Sequence, residues 1–383
     1  MDFELTDEQR LIQDTVRAFV DERVLPVAIQ NDIDHKLDME LIEGMAELGI
    51  LGIVVPEEYG GAGLDYVAEA LACEEIERGE AAFRTLISVH VGLNSLSLLK
   101  YGSEAQKQRW LTPQAKGEKL ACFGLTEPDA GSDVASMRST ARREGDVFVL
   151  NGQKNWISYA SVADHALVFA KTDPAAGHKG ISAFVLEKGM KGFTTRDTEN
   201  KLGIWAGSTG ELFFENLEVP AENLIGEEGQ GFEIAMHSLD QGRFTVAAGA
   251  VGVVRACLER SVEYARERQT FGQPIGKYQF VAGHDRQDGA RLRDVEAARH
   301  AGRVDEEPGQ AQHARDVSGE VACDGVRVRG GAPRDSGVRL VRLLGRVRHR
   351  AVLPQRARAD HLRGHDADPQ DDAGRSMRLG TAP

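Results

Sequence analysis

The spacing of hydrophobic residues divides the chain into three consecutive zones. From residue 6 to about residue 119 the apolar positions recur at helical intervals. From about 120 to 220 the period becomes two, in the runs VFVLNG, HALVFAK, ISAFVLE and ELFFENLEV. From 231 to about 268 the helical period returns, over a length typical of a bundle helix. This order predicts an α+β protein with a helical domain, a sheet domain and the beginning of a helical bundle.

Local signals predict where several helices begin and end. Thr6 with Gln9, and Ser103 with Gln106, have the spacing of capping boxes. Gly49 follows an apolar pattern and predicts a helix end. The first helix is expected to bury the stripe Leu11, Ile12, Val16, Phe19 and Val20. The long helix is expected to bury Met236, Leu239, Val246, Ala250, Val254, Leu258, Val262 and Ala265.

Composition places the chain among ordinary globular proteins. Of its 383 residues, 41% are hydrophobic and 28% charged, and no apolar run is long enough to predict a membrane span. The net charge of −14 argues against a nucleic-acid partner. The start, MDFELTDEQR, has neither the basic nor the apolar region of a signal peptide, so a cytoplasmic protein is expected. The four cysteines lie far apart without CxxC, which favours reduced thiols and no metal site.

The composition changes abruptly after Val281. No Phe, Tyr, Trp, Ile, Lys or Asn follows that residue, and arginine becomes abundant. A segment without aromatic residues or isoleucine can hardly form a hydrophobic core. We therefore expect the chain to be poorly packed after about residue 285.

The sequence contains no common nucleotide-binding loop, but two segments suit a flat ring. No GxGxxG follows a predicted strand, and GxxxxGK[ST] is absent. The segment CFGLTEPDAGSD offers backbone N–H groups and the hydroxyls of Thr126 and Ser132. The segment NGQKNWIS brings Trp156 close to Ser158, which suits ring stacking and hydrogen bonding. The alternatives are a plain surface turn for the first segment and a core tryptophan for the second.

Two charged segments mark the long helix and its end. SLDQGR places Asp240 and Arg243 three residues apart, either as a local ion pair or as part of a site. RERQTFGQPIGKYQ ends the helix in a Gly/Pro loop, from which Arg268 could reach a diphosphate.

In combination, LTEPDAGSD, NGQKNWIS and ERQTFGQPIGKYQ resemble the acyl-CoA dehydrogenase family over residues 1 to about 281. The resemblance implies an N-terminal helical domain, a middle β-barrel-like domain and a C-terminal helical bundle that is incomplete here. Their expected bounds are 1–119, 120–229 and 230–281, followed by an aberrant Arg/Ala/Gly-rich tail over 282–383. The resemblance also implies non-covalently bound FAD, an acyl-CoA substrate and usually a homotetramer.

The family's ligand contacts carry over onto matching positions of this chain. Thr126 is implied to bond the flavin, Trp156 to stack on its ring and Ser158 to lie near N5. Arg268 and its neighbours are implied to hold FAD, in part that of a neighbouring subunit. The implied FAD set is Phe123, Leu125, Thr126, Ser132, Trp156, Ile157, Ser158, Arg268, Thr270 and Gln279. The implied contacts of the pantetheine arm are Ser132, Asp240 and Arg243.

The catalytic base of the family has no counterpart in this chain. In the family a glutamate removes the α-proton while the β-hydride passes to flavin N5. Some members carry that glutamate at the position of Gly242, and glycine cannot act as a base. Most others carry it in a Tyr-Glu-Gly-Thr motif near the C-terminus, which is absent here. No catalytic residue is therefore assigned.

We hypothesise that the changed tail results from one frameshift just after Val281, through a sequencing error, a pseudogene or a real mutation. The missing residue types have A/T-rich codons, as expected when a GC-rich gene is read out of frame. Reading one base later permits a string containing Ile-Tyr-Glu-Gly-Thr within residues 354–373, with the glutamate where Arg363 now stands. The alternative is a genuine Arg-rich tail.

These observations favour an FAD-dependent acyl-CoA dehydrogenase acting in fatty acid β-oxidation, with an electron-transferring flavoprotein as acceptor. Gly242 leaves short- and medium-chain substrates open. The alternatives are a non-catalytic FAD-binding paralogue, an inactive frameshifted product, or an acyl-CoA oxidase that differs in oxygen access to the flavin.

Overall fold

The computed structural model describes residues 5–301, with side chains described except at 285, 291 and 293–301. Its α-helices are α1 (Asp7–Phe19), α2 (Leu25–Ile33), α3 (Met39–Glu47), α4 (Tyr66–Gly79), α5 (Ala81–Ile87), α6 (Leu96–Tyr101), α7 (Glu104–Gln106), α8 (Thr112–Ala115), α9 (Gly231–Glu267) and α10 (Gln279–Ala301). Its strands are β1 (Ala121–Gly124), β2 (Thr140–Glu144), β3 (Val147–Ser158), β4 (His165–Lys171), β5 (Ile181–Glu187), β6 (Phe193–Asp197), β7 (Thr209–Pro220), β8 (Leu224–Ile225), β9 (Gln269–Thr270) and β10 (Gln273–Pro274). π-Helical turns cover Val20–Val24, Ser88–Ser95 and Lys107–Leu111.

The helical zone at the start of the chain follows the predicted capping signals. Thr6 Oγ1 accepts a hydrogen bond from the Gln9 N–H at 3.2 Å, and the Gln9 side chain returns one to Thr6. The same reciprocal pair links Ser103 and Gln106. Gly49 has φ +72° just after α3, the conformation expected of a helix terminator. The predicted stripe on α1 is wrong at Leu11, which is 65% exposed and lies beside the buried face rather than on it.

The sheet zone forms one sheet in the order β6-β7-β3-β2-β4-β5-β8, with β1 parallel to β4. The predicted runs HALVFAK and ISAFVLE are β4 and β5 themselves. These two strands are buried on both faces except at their last residues, so their expected alternation of polar and apolar residues is absent. They form the centre of a core that includes Phe148, Phe169 and Phe184.

The long helix α9 has the predicted length, but its buried face is shifted from the predicted one. Ala265 is buried as predicted, whereas the other buried residues lie off the predicted face, among them Ile234, Ser238, Thr245 and Val251. Val246, on the face predicted to be buried, is 51% exposed. The prediction failed because apolar spacing alone does not show that α4 packs closely against Gly252, or that the hydroxyls of Ser238 and Thr245 hydrogen-bond to Ser97 and Ser88.

Helix α10 extends beyond the predicted loss of packing. It runs to Ala301 and packs against α9, with Leu292 buried. This segment is rich in alanine and arginine, which are strong helix formers, so the helix continues although the sequence offers few residues for a hydrophobic core. The remainder of the predicted poorly packed tail lies outside the described residues.

One helical stretch of the described chain, Ala81–Tyr101, is long and apolar enough to cross a membrane, with a mean hydropathy of 1.2. Its most apolar window is 78% buried inside the protein. It is therefore accounted for as a core helix of the body.

Candidate functional site

The first predicted flavin segment leaves the sheet at the end of β1. Phe123 and Leu125 are buried, and the Phe123 ring lies 5.1 Å from that of Phe169. Thr126 is half-buried, while Ser132 lies exposed in the loop that follows. The two apolar members of the set therefore anchor the loop in the core, and the two hydroxyls remain accessible to a ligand.

Trp156 is turned outward by an irregularity in β3. The pairing of β3 with β7 shifts between Lys154 and Ile157, and Trp156 has φ +60°, rare for a residue with a large side chain. Its side chain is 65% exposed, whereas Ile157 beside it is buried. The alternative of a core tryptophan is thus wrong, and the bulge presents an aromatic face at the surface. Ser158, the next predicted residue, is half-buried.

The two predicted flavin segments are joined directly. The Asn155 N–H donates to the Thr126 carbonyl at 2.9 Å. One residue away, Lys154 Nζ lies 2.7 Å from Glu127 Oε1, with both side chains buried. Glu127 also accepts a hydrogen bond from the Ser139 N–H at 3.1 Å. Sequence reasoning missed this pair, although Glu127 directly follows Thr126 and Lys154 lies two residues before Trp156.

Burial and charge act in opposite directions on this pair. Burial lowers the pKa of Lys154 to about 8, against the favourable charge of Glu127. Burial alone would raise the pKa of Glu127, but the Lys154 charge and the N–H donors around it outweigh burial and lower it. At neutral pH both groups are therefore charged, and the ion pair links the loop to β3.

The residues present fit a flat, hydrogen-bonding cofactor. The Asn155 Oδ1 is buried and has no hydrogen-bond partner among the described residues. Such an orphaned acceptor is costly unless a ligand or water supplies a donor. Asn155 precedes Trp156 in the chain and its backbone bonds to Thr126, so a ring with an N–H donor bound at this junction could satisfy the oxygen.

The α9 segment lies against the π-helical turn before α6. A Cβ on Gly242 would lie 2.8 Å from Cδ2 of Leu93, so a side chain there must displace that leucine tip. From the same turn, Asn94 Nδ2 donates to the Cys122 carbonyl at 3.0 Å, which ties the turn to β1. The face of α9 around Gly242 is thereby joined to the strand that leads into the flavin loop.

Asp240 and Arg243 form the local ion pair expected from their spacing. Arg243 Nη1 lies 2.6 Å from Asp240 Oδ1, and the arginine side chain is 71% exposed. An exposed pair of this kind contributes little to stability. Because the Arg243 side chain is exposed, it is accessible to a ligand.

Asp240 also lines a cleft of about 540 Å³ beside the start of α9. Lys100 Nζ lies 3.4 Å from His237 Nδ1 across it, and Tyr101 donates to Glu233 at 3.2 Å. Burial, reinforced by Glu233, raises the pKa of Tyr101 to about 12, so it remains a hydrogen-bond donor. The cleft is lined by Lys100, Tyr101, His178, Lys179, Gly229, Gln230, Phe232, Glu233, Met236, His237 and Asp240. Sequence reasoning had singled out only Asp240 among them.

The last predicted FAD residues lie at the far end of α9. Arg268 begins the β9–β10 turn, where Tyr278 donates to the Thr270 carbonyl at 2.9 Å, and Gln279 begins α10. Arg268 and Gln279 are exposed, and Thr270 is half-buried. At the rise of an α-helix, Arg268 is about 40 Å along the axis from Asp240. One chain therefore does not bring this group to Asp240. Arg363 lies outside the described residues.

Three sequence models match consecutive parts of the chain. The acyl-CoA dehydrogenase N-terminal domain matches residues 6–118, its middle domain 122–217 and its C-terminal domain 229–322. The third match extends past the change in composition after Val281.

Curated relatives match most of the chain. It is 45% identical over 278 residues to the short-chain specific acyl-CoA dehydrogenase of Rattus norvegicus, which covers 73% of this chain and 68% of that protein. It is also 45% identical over 284 residues to a glutaryl-CoA dehydrogenase of Desulfococcus multivorans, covering 73% of each. These aligned lengths are close to the length of chain that precedes the change in composition.

Solved structures share the fold. The butyryl-CoA dehydrogenase of Megasphaera elsdenii has a TM-score of 0.81 and 37% identity, over 85% of this chain and 86% of that one. A chain from a structure titled for the electron transferring flavoprotein of Acidaminococcus fermentans has a TM-score of 0.79 and 39% identity, over 86% and 90%.

Proposed function

Because the chain belongs to the acyl-CoA dehydrogenase family, an enzyme family whose cofactor is FAD, we propose that it derives from an enzyme of short- or medium-chain acyl-CoA α,β-dehydrogenation. The observation that carries this proposal is the junction of the two flavin segments. It holds together the outward-facing Trp156 and the Asn155 oxygen, which has no hydrogen-bond partner among the described residues.

The FAD contacts are proposed at this junction. When bound, FAD accepts the hydride that leaves the β-carbon. Trp156 stacks on the ring, Thr126 and Ser158 donate hydrogen bonds, and the buried Phe123 and Ile157 hold the two segments in place. Leu125 and the exposed Ser132 complete the loop. Arg268, Thr270 and Gln279 serve the cofactor of a neighbouring subunit, given their place at the far end of α9.

The coenzyme A arm is proposed to lie along the beginning of α9. Ser132, Asp240 and Arg243 contact its pantetheine part. The adjoining cleft supplies Lys100 and Lys179, whose ammonium groups suit the phosphates of coenzyme A. This placement directs the thioester toward Gly242, where α9 meets the turn containing Leu93.

Proton removal is the step that this chain lacks. Gly242 has no side chain, and the space that a side chain would fill at this position is occupied by the tip of Leu93. We propose that the base is the glutamate permitted at codon 363 in the shifted frame and that the chain as written is an inactive frameshifted product. A non-catalytic role for a genuine tail has no supporting observation among the described residues.

The expected partners follow from the family. We propose an electron-transferring flavoprotein as acceptor, supported by the shared fold with a chain from a structure titled for such a protein. A homotetramer, a cytoplasmic location and a role in β-oxidation are proposed on the family resemblance.

The test begins with the gene. Resequencing around codon 281 shows whether one base is missing or added in the template. Protein from the gene with one base corrected should lose flavin absorbance when butyryl-CoA or octanoyl-CoA is added anaerobically, and should pass electrons to an electron-transferring flavoprotein. Absence of bleaching with every acyl-CoA tested would contradict the proposed function.

A further inference from the structure

We propose that Tyr159 is a positioning residue for hydride transfer. Its hydroxyl ties the segment of Trp156 and Ser158 to α5 and so sets where the flavin ring lies relative to the acyl group. The inference rests on the proposed function and adds a residue to its site. It starts from a buried tyrosine that directly follows Ser158 but packs in a different part of the core from the buried apolar residues of β3.

Most buried apolar side chains of the described chain belong to one of two clusters, and neighbouring residues of the flavin segment enter different ones. Ile157 belongs to the cluster of the sheet zone, together with Phe148. Tyr159, which is 1% exposed, belongs to the cluster of the helical zone, together with Phe83. Among the described residues 121–225, Tyr159 is the only buried member of that second cluster. Its ring therefore links the sheet to the helices directly after the proposed flavin contacts.

The Tyr159 hydroxyl makes a directed bond at the helical end of this link. It donates to the carbonyl oxygen of Ala82, a fully buried residue in the first turn of α5. Burial raises the pKa of Tyr159, so the hydroxyl stays protonated and remains a donor at neutral pH. Because a hydrogen bond has a preferred length and angle, it fixes the position of the ring more narrowly than apolar packing does.

The backbone of Tyr159 has a conformation that few large residues adopt. Its φ is +65°, in the left-handed region. The Tyr159 N–H donates to the Ser208 carbonyl at 3.0 Å, and the Tyr159 carbonyl accepts from the Ala163 N–H at 2.9 Å. Such a conformation persists only where the surrounding contacts determine it. Since this turn is held on both sides, a shift of the Tyr159 ring would move Ser158, the residue before it.

Helix α5 leads from the Tyr159 bond to the proposed reaction site. The π-helical turn that follows α5 begins at Ser88, whose Oγ lies 2.7 Å from Oγ1 of Thr245 in α9. Thr245 donates in turn to the Gly242 carbonyl at 2.9 Å. The thioester is proposed to lie at Gly242. The bond between Tyr159 and Ala82 therefore connects the flavin side of the site to its acyl side.

Hydride transfer depends on the distance between these two sides more than binding does. A displacement of about 1 Å at a reacting centre can cost about 10²-fold in rate. The residues proposed to contact FAD and coenzyme A do not include Tyr159, so loss of its hydroxyl leaves those contacts in place. Tyr159 should therefore govern the rate of flavin reduction and have little effect on the acyl-CoA concentration that gives half-saturation.

The test uses FAD-loaded protein from the corrected gene and the variant Tyr159→Phe, which removes the hydroxyl and keeps the ring. The matched control is Tyr59→Phe, because Tyr59 is also buried and its hydroxyl donates to Glu104 at 2.9 Å within the helical zone. In Tyr159→Phe, flavin reduction at saturating butyryl-CoA is expected to slow at least about tenfold. The half-saturating concentration should change by less than about twofold. The control should change neither quantity.

A second measurement does not depend on turnover. The visible circular dichroism of bound FAD reports the orientation of the ring in its site. The spectrum is expected to change in Tyr159→Phe and to stay unchanged in Tyr59→Phe. Urea midpoints of the two variants show that both remain folded and measure the loss of stability that a buried hydroxyl causes in either place.

The outcomes separate this inference from the proposed function. An unchanged reduction rate in Tyr159→Phe, or an equal slowing in Tyr59→Phe, would overturn the inference and leave the proposed function intact. A slowing that higher butyryl-CoA removes would also overturn it, since the hydroxyl would then act on substrate binding. If no acyl-CoA reduces the flavin of the unsubstituted protein, the proposed function fails. The circular dichroism then decides the inference by itself, and an unchanged spectrum in Tyr159→Phe would overturn it.

Discussion

The ammonium of Lys154 lies 2.7 Å from the carboxylate of Glu127, and this buried pair joins the two segments proposed to hold the flavin. Lys154 belongs to β3, two residues before the outward-facing Trp156. Glu127 belongs to the loop after β1, next to Thr126. The position of the aromatic face relative to the loop hydroxyl is thus set by a charge pair within the core.

Replacing Lys154 with methionine is expected to destabilise the protein by about 3–5 kcal/mol, because it leaves a buried carboxylate without its cation. Urea unfolding followed by circular dichroism measures the loss. The double variant Lys154→Met with Glu127→Gln should recover much of the cost. Lys119→Met, which breaks an exposed pair with Asp164, is the matched control and should cost about 1 kcal/mol or less. Equal losses in the buried and exposed variants would contradict this account.

Acid is expected to weaken the protein through Glu127. Its pKa in the folded protein lies below the ordinary value of 4.5, so the folded state binds fewer protons than the unfolded state in that range. The resulting stabilisation is fully present above about pH 4.5 and is lost as the pH falls through the lowered value. Urea midpoints measured from pH 7 to pH 3 should therefore fall less steeply in Glu127→Gln than in the unaltered chain. Parallel curves would show that Glu127 does not titrate in this way.

Substitution of either proposed flavin contact should weaken cofactor binding more than folding. In protein from the corrected gene, Trp156→Ala and Thr126→Ala are each expected to cost about 1–3 kcal/mol of FAD affinity, through lost stacking and a lost hydrogen bond. Because Trp156 is 65% exposed, its removal should change the urea midpoint little. Trp205→Ala, which removes another partly exposed tryptophan, is the control. Unchanged flavin retention on gel filtration in both contact variants would reject the assignment.

The 383-residue chain as written is expected to show no flavin bleaching by acyl-CoA. A positioned base contributes about 10²–10⁴-fold to such a proton transfer, and neither Gly242 nor Arg363 can supply it. Anaerobic absorbance measurements on the written and corrected chains compare the two directly. Bleaching of the written chain at a comparable rate would mean that another residue is the base.

The close approach of α4 and α9 gives a prediction at Gly252. A Cβ at that position would overlap the Glu74 carbonyl oxygen and lie 3.0 Å from the Arg78 nitrogen, both backbone atoms that cannot move easily. Gly252→Ala is therefore expected to cost about 2–3 kcal/mol in urea unfolding. Gly283→Ala in α10, where no atom lies within 4 Å, should instead be neutral or slightly stabilising. A neutral Gly252→Ala would show that the two helices are not in this contact.

The sequence predicted elements well where a local signal specifies them. The capping box at Thr6 and the strand β4 appear where they were expected, because each depends on neighbouring residues alone. Most of the buried face of α9 was predicted wrongly, because close contact with α4 requires glycine at position 252 and the hydroxyls of Ser238 and Thr245 are buried in hydrogen bonds to Ser97 and Ser88. The exposure of Trp156 also could not be read from its segment, since it depends on a shift in pairing between β3 and β7.

For the candidate site, too, some residues could be predicted from the sequence and others only from the structure. Motif resemblance named Thr126 and Trp156, and the structure shows their segments in contact. Lys154 and Glu127 were missed, because a charged residue in a sequence normally predicts a surface position. Only the packing around them shows that these charges are buried.

Every buried apolar side chain of the described residues except Leu292 precedes the change in composition after Val281. Mutation of the gene beyond that codon would therefore leave the folding of the described body largely untouched. A screen for abundance or protease resistance would score such alleles as intact, and only an assay of turnover would reveal the lesion. In such a chain, the amount of folded protein in a cell therefore gives no information about its catalytic activity.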